Sequence, residues 1–507
     1  MDRASKLNQS LLSDGTTSFK FQINESASDR GDLCLVATEH IPVAQDIICK
    51  KQMLVVADSN HLKSTCDNCF LWLYGEIGKN GRIRAAGDAE PSLDKCGACK
   101  VVRYCSKSCQ RGAWKHHHKA ECKIFAQQEK SDEVLRATVR LLLNRKAGII
   151  DDSEWSAFMD LLSHMKDYIE GGDMLKQAIS ETARWTGWDE ADEAFKETYC
   201  RVKLNCTAIH SLEHEYLGIG LDPLISLINH SCKPNTYCLF EGSQIRVRSV
   251  EPISAGDEIT MTYIDNTSDK HSRQLVLKSR WFFSCRCGKC SCDAGNDFDN
   301  IPEGYTLDSL RKLIQLASSA NISDPEKTES AMLEVISSGK GWPTHIQPLP
   351  SLYSRLAIGY HAKRSHSKEV HYLLHLCFVG DPVLYPNRVD PTRVRNLFML
   401  TMALHKLARD NSTAVPELPL QSFELGLVYK YCMWKAAEDA QTSHGENSNL
   451  WKALNARLVE EAALVADPQT MLALMATDQM QGDMSKLLLQ LLPWAGIDPS
   501  CTTAWKA

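Results

Sequence analysis

Cysteines in closely spaced groups are the part of this sequence best suited to chemistry. The chain has 20 cysteines. Some are scattered, such as Cys49 and Cys200, and we expect these to be small core residues. The grouped ones are Cys66 and Cys69, Cys96 and Cys99, Cys105 and Cys109, and Cys285, Cys287 and Cys290. Grouped thiols in a reducing compartment bind metal, and tetrahedral Cys/His sites predict zinc.

The rest of the sequence indicates such a compartment. The stretch MDRASKLNQSLLSDGTTSFKF lacks the apolar run of a signal peptide, and no later run reaches the ~20 apolar residues of a membrane span. We therefore expect a nuclear or cytoplasmic protein that is not secreted and has no membrane partner. The formal net charge of -6 over 507 residues gives no general basic field, so any contact with nucleic acid has to be local.

The stretch from Cys66 to Cys122 contains eight candidate metal ligands. It reads CDNC and later CGACKVVRYCSKSCQRGAWKHHHKAEC. Its end predicts a helix, on which His118 and Cys122 are four residues apart and share one face. His117 is one residue out of phase but remains a rival for His118. Eight ligands make two tetrahedral sites, and a site filled by four protein ligands is structural rather than catalytic.

A second set of motifs follows later in the chain. LISLINHSCKPN comes first, then GDEITMTYID, and then SCRCGKC. On the residues alone, Cys232 could be a buried core residue, a nucleophile or a metal ligand. The polar side chains of Asn229, His230 and Tyr263 lie beside it or at the end of a strand-like stretch, and each taken singly predicts little.

In combination, NHS-C-x-P-N, G-D-E-I-x-x-x-Y and C-x-C-x2-C resemble the SET domain with its post-SET cysteines. The stretch from Cys66 to Cys122 resembles the MYND finger, and the order of the parts is similar to the SET-and-MYND lysine methyltransferases. The resemblance implies an α+β fold, with a β-rich SET domain split by an inserted zinc-binding MYND finger and a helical insert. A cysteine-rich post-SET segment and an all-α C-terminal helical array follow.

The resemblance also implies how the metal ligands divide. In MYND fingers the first and third pairs hold one zinc ion, and the second and fourth pairs hold the other. The first ion would bind Cys66, Cys69, Cys105 and Cys109, and the second Cys96, Cys99, His118 and Cys122. Cys232 would complete a third site with Cys285, Cys287 and Cys290, against Cys292 as the competing fourth ligand. We therefore expect three zinc ions as cofactors.

The methyl donor implied by the resemblance is S-adenosylmethionine. Its contacts would come from the loop at Gly31 and from Asn205, Asn229 and His230, and Phe283 would stack on adenine. The catalytic residue would be Tyr263, whose hydroxyl orients the methyl group and the incoming amine and so also contacts the cofactor. Trp281 and Phe283 would line the channel for the substrate lysine of a protein, where desolvation and cation–π attraction favour amine chemistry.

Two positions depart from the family pattern, so a second function stays open. In SDRGDLCLVA, Cys34 stands where the family usually has a glycine of the cofactor loop, and Trp281 stands where it commonly has tyrosine. The alternative is a weakly active or inactive SET-fold scaffold that recruits partners through the finger and the helical domain. For the finger itself we expect a short peptide ligand, with nucleic acid possible but not favoured.

The elements that must position these residues can be read from periodicity. The stretches FKFQI, LCLVA, DIICK and MLVV predict strands, and a helical pattern runs from Ile124 to about Lys203. LISLI, TYCLF, QIRVRSV and EITMTYI predict further strands, and helical spacing with short joints follows residue 300. The expected segments are 15–62 and 204–268 for the SET domain, 66–122 for the finger, 123–203 for the helical insert, 269–295 for the post-SET region and 300–507 for the C-terminal helical domain.

Overall fold

The computed structural model describes residues 2–12, 19–25, 33–84, 92–126, 132–170, 176, 178, 180, 193–292, 301–319, 324–409, 418–464 and 467–500. They form two compact units. The first comprises Met1–Gly75, Ala85–Asp265 and Arg273–Cys292, and the second comprises Glu76–Arg84, Asn266–Ser272 and Asp293–Ala507. The candidate site residues named above fall in the first unit.

The strands of the first unit are short. They are β1 (Phe21–Glu25), β2 (Leu33–Ala37), β3 (Asp46–Lys51), β4 (Leu54–Ala57), β5 (Asp94–Lys95), β6 (Arg103–Tyr104), β7 (Thr207–His210), β8 (Tyr216–Leu221), β9 (Asn229–His230), β10 (Thr236–Glu241), β11 (Gln244–Ser249) and β12 (Glu258–Met261). They make a four-stranded sheet in the order β1-β2-β12-β9, two three-stranded sheets in the orders β10-β11-β3 and β4-β8-β7, and the hairpin β5-β6.

The centre of the four-stranded sheet decides where the polar motifs meet. Strand β12 pairs antiparallel with β2, with Ile259 opposite Leu35. On its other side β12 pairs parallel with β9, with Thr260 opposite Asn229 and Met261 opposite His230. Leu35 and Ile259 are fully buried in the main apolar core of this unit. That burial fixes the register, because a slip of one residue would turn the apolar face toward solvent.

Helices also form in this part of the chain. They are α1 (Arg3–Leu12), α2 (Lys107–Ala113), α3 (Lys119–Phe125), α4 (Glu133–Lys146), α5 (Asp152–Met159), α6 (Met165–Glu170), α7 (Glu193–Asn205), α8 (Pro223–Ser226), α9 (Lys270–Trp281) and α10 (Gly288–Cys292). A π-helical turn, Trp114–His118, joins α2 to α3. The helical pattern expected from Ile124 to Lys203 is therefore present in α4 to α7, within the residues that the structure describes.

One predicted strand is wrong. LISLI, residues 224–228, lies in the short helix α8 and the turn after it. The cause is local, because the Asp222 carboxylate caps the backbone N–H groups of Leu224 and Ile225 while Pro223 occupies the first helical position. Both signals are legible in the sequence DPLIS, but the apolar run outweighed them in the prediction. Strands β7 and β8 and helices α1 and α9 were not predicted.

The second unit is helical in the residues described. Its helices are α11 (Leu307–Ser319), α12 (Pro325–Ile336), α13 (Leu349–Ala362), α14 (His366–His375), α15 (Asp381–Leu384), α16 (Pro391–Arg409), α17 (Ser422–Ser443), α18 (Asn449–Ala463), α19 (Pro468–Met475) and α20 (Asp478–Trp494). Ser448 caps α18 and Thr477 caps α20 through their hydroxyl groups. The prediction of a helical C-terminal region is confirmed. None of the described helices has the length and apolar character needed to cross a bilayer.

Candidate functional site

The first group of thiols comes together across a long stretch of sequence. The sulfur atoms of Cys66, Cys69, Cys105 and Cys109 all lie within 4.8 Å of one another. The Sγ atom of Cys105 is 3.6 Å from that of Cys69 and 3.4 Å from that of Cys109. Ser106 caps α2 by accepting a hydrogen bond from the backbone of Cys109, and this cap orients the start of the helix that carries the ligand.

The second group combines three thiols with one imidazole. Nε2 of His118 lies 3.3 Å from Sγ of Cys96 and 3.5 Å from Sγ of Cys99. Cys122 completes the group, with its Sγ 3.8 Å from that of Cys96. The rival His117 lies outside it, because its Nε2 contacts the Asp67 carboxylate at 2.8 Å. In this structure the helix therefore directs His118 toward the thiols.

The third group ties the end of the first unit to the NHS motif. The potential ligand atoms of Cys232, Cys285, Cys287 and Cys290 lie within 4.8 Å of one another. The sulfur of Cys232 is 3.9 Å from that of Cys285 and 3.5 Å from that of Cys290. Cys292 is exposed and outside the group. Hydrogen bonding from Cys232 lowers the pKa of the Cys285 thiol to about 3, so the group favours a thiolate.

The donor sets fit zinc. Two groups offer four sulfur atoms each, and one offers three sulfur atoms and a nitrogen. Four such donors in a compact group suit the tetrahedral preference and borderline softness of Zn²⁺. These three groups could therefore hold three zinc ions. Each set fills all four positions with protein atoms, so it leaves no site for a reacting water molecule.

A buried charge network behind the first two groups was not predicted. The guanidinium of Arg140 donates to Asp67 at 2.8 Å and to Glu121 at 2.7 and 2.9 Å. Glu121 in turn lies 3.4 Å from Nδ1 of His118. Arg140 also donates to the carbonyl of Val55 in β4, at 2.7 Å. The available signal was the presence of acidic residues directly beside the ligands Cys66 and Cys122.

Two carboxylates of this network and one imidazole form a further group of potential metal ligands. Asp67, His117 and Glu121 lie close enough together to hold an ion. The Arg140 guanidinium, however, is placed between both carboxylates, and its charge lowers the pKa of each against the opposing effect of burial. A cation is thus already supplied by the chain, and these residues are better described as an ion-pair network.

Pairing of β9 with β12 brings the polar motif residues together. The backbone N–H of Tyr263 donates to Nδ1 of His230 at 3.0 Å, and the Tyr263 hydroxyl donates to the carbonyl of Ile228 at 2.7 Å. The amide of Asn229 donates to the Glu258 carboxylate at 2.7 Å and to the carbonyl of Leu33 at 3.3 Å. Glu258 was missed as a site residue, although it belongs to the GDEI motif.

Four aromatic rings lie where these polar motif residues meet. The ring of His230 is 5.3 Å from that of Tyr263 and 5.9 Å from that of Phe283. The ring of Trp281 is 5.2 Å from that of Tyr263, and its indole N–H donates to the carbonyl of Leu204 at 3.1 Å. The four rings therefore form one continuous aromatic wall.

Asn205 and Gly31 were also predicted to contact the cofactor. The amide of Asn205 donates to the carbonyls of Leu162 and Arg201, at 2.8 and 2.7 Å, so its N–H₂ group is used at the end of α7. Gly31 lies outside the described residues. Cys34 is buried next to Glu258, and burial together with the Glu258 charge raises the pKa of its thiol to about 11. That thiol is therefore neutral and unsuited to act as a nucleophile.

Comparison with known proteins identifies the domain. Residues 32–264 match the SET domain family. The chain is 31% identical over 297 residues to "Histone-lysine N-methyltransferase ASHR1" of Arabidopsis thaliana, covering 55% of this chain and 57% of that protein. It is 30% identical to "SET domain and MYND-type zinc finger protein 6" of Schizosaccharomyces pombe, covering 51% and 50%. It is also 30% identical to human "Histone-lysine N-methyltransferase SMYD3", covering 39% and 49%.

The chain thus spans about half the length of the curated relatives that it matches. Among solved structures, Rubisco LSMT bound to AdoMet is 14% identical and covers 97% of this chain and 93% of that chain, at a TM-score of 0.27. A likeness at that level carries no argument about the site. The matched family and relatives confirm the resemblance predicted from the motifs: residues 32–264 match the SET domain family, and the chain is similar to the SET-and-MYND lysine methyltransferases.

Proposed function

We propose that this chain is an S-adenosylmethionine-dependent methyltransferase acting on lysine side chains of proteins, histone or non-histone. The observation that carries the proposal is the convergence of Asn229, His230 and Tyr263 through the parallel pairing of β9 with β12. Their convergence with an aromatic wall matches a reaction that needs positioning and desolvation but no metal and no covalent intermediate. Similarity to relatives named as lysine methyltransferases supports it.

The residues fit the methyl donor. Bound S-adenosylmethionine would supply an activated methyl group to the lysine amine. Phe283 offers an aromatic face for adenine, and Asn229 and His230 offer polar contacts. His230 would use its main chain, because Nδ1 accepts from Tyr263 and Nε2 lies 3.3 Å from Sγ of Cys232. Its imidazole therefore fixes the site rather than contacting the donor.

The lysine amine must be neutral to react. A free lysine has a pKa of about 10.4, and an apolar aromatic surrounding lowers it by disfavouring the charged form. Trp281, Phe283 and Tyr263 provide that surrounding and can also hold the methylated cation by cation–π attraction. The Tyr263 hydroxyl donates to the carbonyl of Ile228, so its oxygen has a defined position. From there it can accept weak C–H hydrogen bonds from a polarised methyl group.

A scaffold with little or no turnover is the second candidate. The buried side chain of Cys34 favours it, because a glycine there would let the backbone approach the cofactor more closely. Trp281 favours it too, because an indole hydrogen-bonded to Leu204 offers no hydroxyl to the channel.

Calorimetry with S-adenosylmethionine and methyl transfer from labelled cofactor into a protein extract test the proposal together. Tyr263→Phe is the matched variant, because it removes one hydroxyl and should leave the zinc content unchanged. We expect wild-type incorporation to exceed that of the variant ~10- to 1000-fold, through lost orientation. Equal incorporation by both proteins would show that the Tyr263 hydroxyl takes no part in catalysis. Cofactor binding without any wild-type incorporation would establish the scaffold instead.

We extend the proposal to the domain arrangement. Strands β4 and β8 pair although residues 58–215 separate them in sequence, so the finger at 66–122 and the helical insert at 123–203 would interrupt one SET domain made of 15–62 and 204–268. Leu7 of α1 is buried in the same core, and this burial favours a start of that domain before residue 15. A post-SET region at 269–295 and a C-terminal helical domain at 300–507 complete the proposed organisation.

The finger is proposed to bind a short, proline-containing segment of a partner protein. An exposed aromatic, Trp114, lies on it among the basic residues Lys107, Arg111, Lys115 and Lys119, which are also exposed. Nucleic acid is the competing ligand. Titrations at rising salt separate the two, because DNA affinity falls steeply with salt and peptide docking only mildly.

Residence in the nucleus or cytoplasm belongs to the same proposal. Zinc ligation by the three cysteine groups needs thiolates, which a reducing compartment preserves.

A further inference from the structure

Two residues with unusual backbone conformations meet beside the candidate site. Phe282 has φ 59° and His164 has φ 46°, so both lie in the left-handed region that side chains rarely adopt. Their rings stack at a centroid distance of 5.4 Å and an interplanar angle of 29°. Strained residues persist where surrounding contacts hold them in place, and they cluster at functional sites. The contact of two such residues calls for a structural explanation.

The helical insert holds the chain around Phe282 at further points. The ring of Tyr168, in α6, lies edge-on to the Phe282 ring at 4.8 Å. The Tyr168 hydroxyl donates to the carbonyl of Arg280 at 3.3 Å. Nδ1 of His164 contacts the Asp167 carboxylate at 2.9 Å, and this contact orients the stacked imidazole. Side chains from residues 164–168 thus grip the backbone and the ring of residues 280–282.

The two neighbours of Phe282 belong to the aromatic wall. Trp281 contacts Tyr263 at a ring distance of 5.2 Å, and Phe283 contacts His230 at 5.9 Å. The left-handed turn at Phe282 lets its own ring face the insert while both flanking rings face the site. Trp281 is the last residue of α9, and a continued α-helix would place residues 281 and 283 about 200° apart around its axis, on nearly opposite faces. The turn at Phe282 therefore decides whether both rings reach the wall.

We propose that Phe282 is a positioning residue for methyl transfer, and that the insert residues His164 and Tyr168 clamp it. The clamp sets Trp281 for the lysine channel and Phe283 for the donor. This inference rests on the proposed function for its effect on turnover, whereas the placement of Trp281 can be measured without it. The insert thereby becomes part of the site, although none of its side chains needs to touch a substrate.

The decisive variant is Phe282→Ala, which removes the ring held by the clamp. Phe282→Tyr keeps an aromatic ring and serves as the rescue variant. Phe423→Ala is the control, because Phe423 is a 77% exposed phenylalanine in the second unit. The first readout is the ¹⁹F spectrum of protein labelled with 5-fluorotryptophan, in which the Trp281 signal is assigned by its absence from Trp281→Phe. Zinc content and thermal midpoint, measured on the same samples, identify any variant that fails to fold.

We expect Phe282→Ala to shift or broaden the Trp281 signal, while Phe282→Tyr and Phe423→Ala leave it in place. With lysine peptide and S-adenosylmethionine, Phe282→Ala should lower kcat by ~10- to 100-fold, because a displacement of about 1 Å costs that much in an oriented reaction. An unchanged Trp281 signal in folded Phe282→Ala would overturn the proposal. So would a variant that loses stability but retains the wild-type kcat.

The two proposals fail in different ways. If the wild type transfers no methyl group while the Trp281 signal still moves in Phe282→Ala, the proposed enzymatic function fails and the structural role of the clamp is supported. Tyr168→Phe gives a milder test, because it removes only the hydrogen bond to Arg280. It should move the Trp281 signal less than Phe282→Ala does, and an equal or larger effect would contradict the leading role of Phe282.

Discussion

Nδ1 of His230 accepts a hydrogen bond from the backbone N–H of Tyr263 at 3.0 Å, and on the other side of the ring Nε2 lies 3.3 Å from Sγ of Cys232. Because Nδ1 is an acceptor, the ring proton belongs on Nε2, where it points at the thiol group. One imidazole therefore links the proposed catalytic tyrosine to the third thiol group. Metal loading there should influence the geometry of the methyl-transfer site.

Two substitutions at His230 should separate these contacts. His230→Asn can place an amide oxygen near the Nδ1 position, and His230→Gln can place an amide N–H₂ near the Nε2 position. We expect His230→Asn to release zinc faster to a chromogenic chelator while retaining more S-adenosylmethionine affinity than His230→Ala. We expect His230→Gln to show the reverse balance. If all three variants lose zinc and cofactor binding in equal proportion, the imidazole does not act as a two-sided link.

Elemental analysis should find three zinc ions per chain. The physical reason is the presence of three complete sets of tetrahedral donors in the described residues. Cys99→Ser and Cys287→Ser should each reduce the count by one, from different groups. Cys49→Ser is the matched control, because Cys49 is exposed and outside the groups, so it should retain three ions. Two ions or fewer in folded wild-type protein that has never met a chelator would contradict the assignment.

Loss of the Arg140 guanidinium should be strongly destabilising. Arg140 is 3% exposed and balances the buried carboxylates of Asp67 and Glu121, so Arg140→Met leaves two buried charges without their partner. Breaking a buried pair in this way typically costs about 3–5 kcal/mol of unfolding free energy. Arg111→Met, at an exposed position of α2, should cost well under about 1 kcal/mol.

Urea unfolding at fixed zinc concentration measures both variants. Because Arg140 also bonds to Val55 of β4, we expect the damage to reach beyond residues 66–122 and to weaken the sheets of the first unit. A variant that loses finger zinc but unfolds at the wild-type urea concentration would show that the finger is an independent module.

The residues of the motifs could be predicted better than the contacts that hold them. Sequence spacing alone predicted that His118 and Cys122 lie together, because residues four positions apart on a helix share a face. The choice against His117 could not be made that way, since it depends on Asp67, which lies 50 residues earlier and is directed by Arg140. Long-range partners of this kind leave no periodic trace in one sequence.

Local chemistry that competes with an apolar pattern caused the main error in the fold. LISLI has strand-like composition, yet the Asp222 cap and Pro223 start a helical turn, and only Asn229 and His230 remain as strand. The short strand still reaches its place because it pairs with β12. The left-handed backbone conformation of Phe282 could not be predicted from the sequence either, because contacts with the helical insert hold it.

The stability of the first unit should fall as pH rises from about 6.5 to about 9. His61 lies between Asp58 and Glu215, at 2.7 and 3.2 Å. Burial alone would lower the pKa of its imidazole, but hydrogen bonds and charges of the two carboxylates raise it to about 9. Because the folded form binds the proton more tightly, the contribution is complete below the unfolded pKa of about 6.5 and is lost as pH passes 9.

The size of that contribution is ~2 kcal/mol, reduced from the full shift because the imidazole is partly accessible. His61→Gln should lose it at every pH and flatten the dependence in this window. Urea unfolding of both proteins at half-unit steps from pH 6 to 9.5 measures the difference, and changes in zinc affinity with pH affect both equally. A difference that stays constant across the window would show that folding does not raise the pKa of the His61 imidazole.

Substitution of Cys34 distinguishes the enzyme from the scaffold more directly than substitution at any other position. Leu33 and Leu35, on either side of it, belong to the apolar core, so the Cys34 side chain lies on the opposite face of β2. That face is also the one of Glu258, whose charge acts on the thiol and whose carboxylate holds Asn229. A side chain at this position therefore stands beside the residues proposed to bind the donor.

Removing that side chain should improve binding. We expect Cys34→Gly to lower the Kd for S-adenosylmethionine ~3- to 10-fold, because glycine permits closer approach of the backbone, at a cost of about 1 kcal/mol in strand stability. Cys34→Ala controls for loss of the thiol and should have a smaller effect. Calorimetry at one zinc concentration measures all three proteins. If Cys34→Gly binds no better than the wild type, Cys34 does not restrict the donor, and the departure from the family glycine no longer argues for a scaffold.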